Sequence, residues 1–86
     1  MQVKVRLFAT LRQQAGWKEK VVELPVQTTI AGLIDHLVQA YPALPLAGRT
    51  LYAAVNMEYA RFDQILVDGD EVAFFPPVSG GRGRAG

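Results

Sequence analysis

Ile30, Leu33, Ile34, Leu37, Val38 and Tyr41 recur at i, i+3, i+4, i+7, i+8 and i+11, the spacing of one face of an α-helix. A helix with a single apolar stripe must bury it against another element, and the other apolar runs of the chain have the period of strands. That combination points to one helix packed on a sheet. Thr28 or Thr29 can cap the helix start, and Pro42 ends it. Gly32 lies inside it at a cost of about 1 kcal/mol relative to Ala, which marks either close packing on the sheet or simple tolerance.

The strands are read from alternation and from their stops. Residues 2–9 place Val3, Val5, Leu7 and Ala9 on one side and Lys4 and Arg6 on the other, with Phe8 as an aromatic pointing outward. Residues 10–15 suit a helical turn that Gly16 stops. A second strand over 20–24 is closed by Pro25, so the two strands form a hairpin with a wide loop. A loop over 43–50, broken by Pro45 and Gly48, leads to a short strand over 51–55 and a turn around 56–58. Asp68-Gly69-Asp70 is a stronger turn signal, because Asp-Gly supports positive φ, and it opens a final strand over 71–75. Pro76-Pro77 then ends the sheet, since two residues without N–H cannot continue a ladder. The expected order is strand, strand, helix, strand, strand. Such a chain is α+β, a ubiquitin-like β-grasp with a mixed sheet and one main helix on one face.

Length and composition narrow the function classes. A chain of 86 residues buries somewhat over ~60% of its unfolded surface, enough for one domain. No cysteine is present, which excludes a disulfide framework and a thiolate metal site. The N-terminus opens on a strand pattern rather than a secretory signal, and no run approaches the ~20 apolar residues of a membrane span, so a cytoplasmic protein is expected. Nine basic and eight acidic side chains give a net charge of +1. Arg82 and Arg84 lie at the far end, and without them the balance is seven minus eight, or −1. A near-neutral body lacks the basic field that nucleic-acid binding needs.

The catalytic inventory is short. His36 is the one histidine and Ser79 the one serine, so a nucleophile, a base and an orienting group cannot be assembled. His36 reads as a solvated helix residue. Asp68, Asp70 and Glu71 lack the full ligand loop that calcium requires and read as turn chemistry, with no metal site expected. What remains is Gly80-Gly81 behind Phe74-Phe75-Pro76-Pro77-Val78-Ser79. Two residues without Cβ let a partner's walls close on the backbone, which suits a tail whose carboxylate is delivered into another protein's active site. Arg82-Gly83-Arg84-Ala85-Gly86 follows, so that carboxylate exists only after those five residues are removed.

The chain resembles the MoaD family, the small sulfur-carrier subunits of molybdopterin synthase, along nearly its whole length to Gly81. The resemblance is carried by Ala53-Ala54-Val55-Asn56, Phe62-Asp63 and the block from Asp68-Gly69-Asp70-Glu71 through Phe74-Phe75-Pro76-Pro77-Val78-Ser79-Gly80-Gly81, with a weaker match in Leu7-Phe8-Ala9 and Leu11-Arg12. It implies that Gly81 is adenylated by a MoeB-like activating enzyme using ATP, then converted to a thiocarboxylate, with Gly80, Ser79 and Val78 forming the tail that enters a MoaE-like large subunit. There the sulfur passes to cyclic pyranopterin monophosphate. No cofactor is bound by the carrier itself. Family contact positions fall on Phe8, Arg12, Tyr59, Phe75, Pro76 and Pro77, and at Tyr59 an aliphatic residue is commoner in the family. Phe75 taken alone fits the core as well as a contact surface.

We therefore expect a carrier domain over 1–78 and a flexible tail over 79–86. Family members typically stop at the second glycine. The added residues fit proteolytic maturation by a JAMM-type zinc protease, a remnant of a fused large subunit, or a disordered end without sulfur function. The same tail chemistry also serves thiamin, cysteine and siderophore synthesis, and relatives act as ubiquitin-like modifiers of lysines. The Phe-Pro-Pro-Val-Ser block favours molybdopterin.

Overall fold

The computed structural model describes residues 1–44, 46 and 51–76. Five strands and two helices follow in the order β1 (Gln2–Leu7), α1 (Ala9–Ala15), β2 (Glu19–Glu23), α2 (Ile30–Ala40), β3 (Tyr52–Val55), β4 (Glu58–Ala60) and β5 (Glu71–Phe75). The sheet order is β2-β1-β5-β3-β4. β1 and β5 run parallel at the centre, and every other pairing is antiparallel, so the sheet is mixed as expected.

The period-2 pattern sorts each strand into two faces. Val3, Val5 and Leu7 of β1, Val72 and Phe74 of β5, and Ala53 and Val55 of β3 are buried, and they form one core with Ile30, Leu33 and Leu37 of α2. Leu11 of α1 and the leucines of the connections, Leu24, Leu44, Leu46, Leu51 and Leu66, complete it. The other sheet face carries no helix. It presents Lys4, Arg6, Glu71, Ala73, Phe75, Tyr52, Ala54 and Tyr59, which the strand registers place on one side.

The start of α2 shows how a loop can finish a helix. Thr29 is the N-cap, and its Oγ1 accepts from the Gly32 N–H at 3.1 Å. Ile30 N–H donates to the Gln64 carbonyl and Ala31 N–H to the Phe62 carbonyl, so the loop 61–66 takes up donors that a helix start leaves orphaned. A Cβ on Gly32 would stand 2.9 Å from Thr28 Cγ2. The close approach at Gly32 is therefore to the residue before the cap, not to the sheet.

Three expectations need correction. Ala9 does not face the core: β1 ends at Leu7, Phe8 is extended, and Ala9 at φ 54 turns the chain into α1 with its side chain exposed. The helical turn over 10–15 is the helix α1, which begins one residue earlier and ends at Gly16 in the left-handed region, φ 83. The expected order lacked β4. This three-residue strand is joined to β3 by Asn56 and Met57, both at positive φ (50 and 73), which is the two-residue type I′ hairpin geometry.

Candidate functional site

The helix-free face of the sheet carries a row of aromatic rings. Phe8 meets Phe75 with centroids 5.7 Å apart, Phe75 meets Tyr59 at 5.9 Å, and Tyr59 meets Tyr52 at 6.4 Å. All three contacts are edge-to-face, the arrangement the ring quadrupole prefers. The strands dictate the row: Tyr52 pairs with Phe75 across β3 and β5, and Ala54 pairs with both Tyr59 and Ala73. Phe8 is anchored at the end of β1 through its N–H, which donates to the Phe74 carbonyl at 3.2 Å.

The alternation of β5 separates the two phenylalanines. Phe74 is fully buried in the core, whereas Phe75 is half-buried on the open face, and Pro76 follows it directly. Phe75 is thus a surface aromatic where the chain leaves the sheet. Tyr59 remains 79% exposed despite its two ring contacts, so the row is not sealed by the domain itself. Shallow hollows lie on both sides of the Tyr59–Phe75 pair. One of about 380 Å³ is bounded by Tyr52, Tyr59, Phe62 and Phe75, and one of about 300 Å³ by Phe8, Met57, Tyr59 and Phe75 over a floor of Ala54 and Ala73.

One end of the row is polar. Arg6 Nη1 donates to Glu71 Oε2 at 2.9 Å, Arg6 Nε lies 3.7 Å from Glu19 Oε1, and the guanidinium carbon stands 5.5 Å from the Phe8 ring centre. The Glu71 hydrogen bond, and then its charge, hold the Arg6 guanidinium above its ordinary range.

The acidic turn does structural work. Asp68 Oδ1 accepts from the Gln2 N–H at 2.7 Å, while Asp70 Oδ1 accepts from Asn56 Nδ2 and Asp70 Oδ2 from the Val67 N–H, both at 2.9 Å. Gly69 sits at φ 87, as the Asp-Gly signal requires. His36 is exposed on α2.

Of the residues expected to meet a partner, Phe8, Tyr59 and Phe75 are brought together, and Pro76 adjoins them. Arg12 is exposed on α1 and is not part of the ring row. Pro77, Val78, Ser79, Gly80 and Gly81, and with them the boundary at residue 78, lie outside the described residues. Tyr52, Met57 and Arg6 belong to the surface and were not singled out as site residues. Tyr52 had a signal, because alternation of Leu51, Ala53 and Val55 into the core leaves it facing out beside Phe75.

The family model of the ThiS family matches residues 5–81. The chain belongs to that family. Among its relatives, the molybdopterin synthase sulfur carrier subunit of Chlamydomonas reinhardtii is 42% identical over 83 residues, covering 94% of this chain and 100% of the relative. The subunit of the same description from Escherichia coli is also 42% identical, covering 92% and 99%. The crystal structure of SAMP1 from Haloferax volcanii superposes with a TM-score of 0.82 at 32% identity, covering 94% of this chain and 100% of that one. This ThiS-family chain has the ubiquitin-like β-grasp fold.

Proposed function

We propose that the chain is the sulfur-carrier subunit of a molybdopterin synthase, thiocarboxylated at Gly81 and docked on a MoaE-like large subunit through its open aromatic face. The observation that carries the reading is the position of the ring row. It surrounds Phe75 at the root of the tail, so a partner that covers the rings also receives whatever follows Pro76.

The chemistry follows from the carboxylate. A free α-carboxyl group with a pKa of about 3.5 is ionised at neutral pH and resists nucleophilic attack. A MoeB-like enzyme transfers the adenylyl group of ATP to it, releasing pyrophosphate, and a sulfur donor displaces AMP to leave the thiocarboxylate. The sulfur then passes to the pterin precursor in the large subunit, water cleaves the acyl–sulfur bond and supplies the missing oxygen, and Gly81 regains its carboxylate. The carrier contributes the acyl sulfur and the docking surface; the partner contributes the pocket. Removal of residues 82–86, by a JAMM-type protease, precedes activation.

Intact mass of the protein purified from its own cells tests both steps. A species ending at Gly81, and one heavier by the difference between sulfur and oxygen, is expected. A population that retains residues 82–86 throughout active cofactor synthesis would end the proposal. The likeness to SAMP1 favours one second reading, covalent attachment of Gly81 to lysines, which tryptic peptides bearing a branched lysine would reveal.

A further inference from the structure

The charges around Arg6 take no part in the core and lie on the open face beside the ring row. Arg6 stands next to the last residue of β1, opposite Glu19 of β2 on one side and Ala73 of β5 on the other. Its guanidinium is held from two directions, by Glu71 at 2.9 Å and Glu19 at 3.7 Å, and all three side chains are partly exposed. Exposed ion pairs of this kind contribute little to stability. They do fix geometry, because a planar guanidinium held by two carboxylates has little rotational freedom left.

What that fixed group touches is Phe8. The ring of Phe8 lies 5.5 Å from Arg6 Cζ and 5.7 Å from the Phe75 centroid. Phe8 sits where the chain leaves the sheet, between the end of β1 and the positive φ of Ala9, with an exposed ring. A ring at such a place has several χ1 wells open to it unless a neighbour selects one. A cation over its face and an aromatic edge beside it do so.

We infer that Arg6 is a positioning residue: clamped between Glu19 and Glu71, it holds Phe8 in the orientation that the partner protein meets, so that the ring is ordered before docking. The inference rests on the reading of the open face as the partner surface. It makes affinity for an apolar surface depend on charges that need not touch the partner.

A double-mutant cycle in the full chain tests it, with a purified MoaE-like large subunit as the titrant. Arg6→Met keeps the apolar stem and removes the cation. It is expected to weaken binding about three- to tenfold, the loss from having to order one aromatic side chain on docking. In a Phe8→Ala background the same change is expected to cost nothing further. Arg6→Lys, which keeps the charge without the fork, is expected to fall between the two. In the free protein, Arg6→Met is expected to shift the Phe8 ring proton resonances while leaving the methyl resonances of Leu33 and Leu37 in place. Equal losses with and without Phe8 would show that Arg6 acts through its own contact and overturn the inference, as would an unchanged Phe8 ring signal. If Phe8→Ala alone binds as well as the wild type, the partner-surface reading falls and takes this inference with it.

Discussion

Asp70 is the one charged side chain buried among the described residues, at 7% exposure, and it has no cation beside it. Neutral donors hold it instead: the Val67 N–H on one oxygen and Asn56 Nδ2 on the other. Asn56 in turn accepts the Glu71 N–H through its own side-chain oxygen at 3.0 Å, so the carboxylate ties the β3–β4 hairpin to the start of β5. Truncation to Asp70→Ala removes the acceptor from two part-buried hydrogen bonds. The expected cost is about 1–2 kcal/mol in urea denaturation, and Asp70→Asn, which keeps one acceptor, should cost less. At the aromatic row the expectation is the reverse. Phe8→Ala and Phe75→Ala should leave the melting temperature nearly unchanged and weaken binding to the large subunit, because their rings lie on the open face and aromatic anchors dominate interfaces. The open choice for Phe75 shows what a sequence can decide at this scale. Two adjacent phenylalanines cannot both face the core of a strand, but which one does is settled by register, and the pairing of Ala53 with Phe74 settles it. Asp70 was legible as turn chemistry. Its link to Asn56 was not, because it joins residues fourteen positions apart.

At the scale of elements, α2 was the most legible part of the chain, since eleven residues give a helical period three repeats. β4 was the least. Three residues, Glu58-Tyr59-Ala60, two of them exposed, offer no alternation to read, and only the turn before them signals a strand. That turn carries a testable tension. Met57 occupies a left-handed position at φ 73 where glycine is favoured, and its side chain is 94% exposed beside the hollow under Tyr59. Met57→Gly should raise stability by about 0.5–1 kcal/mol in thermal unfolding, relief of left-handed strain exceeding the added freedom of the unfolded chain. Gly32 offers a second test at the other end of the fold. Gly32→Ala alone should gain little, because the new methyl meets Thr28 Cγ2, whose rotamer is held by the Thr28 Oγ1 hydrogen bond to the Pro25 carbonyl at 2.7 Å. In a Thr28→Ser background, which keeps that hydroxyl and removes the methyl, the same change should gain about 1 kcal/mol of helix propensity. Equal effects in the two backgrounds would show that the close approach does not matter.

Across the whole molecule, the mixed sheet and the helix on one face were readable because each element's period agreed with a single core. The burial of the leucines at 44, 46 and 66 was not, since connections bury side chains one at a time without a repeat. Separation of labour between the two sheet faces gives the last prediction. A chain ending at residue 80 should melt at the same temperature as one ending at residue 81 and bind the large subunit with similar affinity, yet restore no molybdoenzyme activity in a strain lacking the carrier. β5 is threaded between β1 and β3, so the sheet's two central seams stay open until residue 75 is in place. A chain that stops short of residue 75 therefore lacks the aromatic face altogether: the strand that carries Phe75 is also the keystone of the sheet, and without it the edges of β1 and β3 are left open to mispairing.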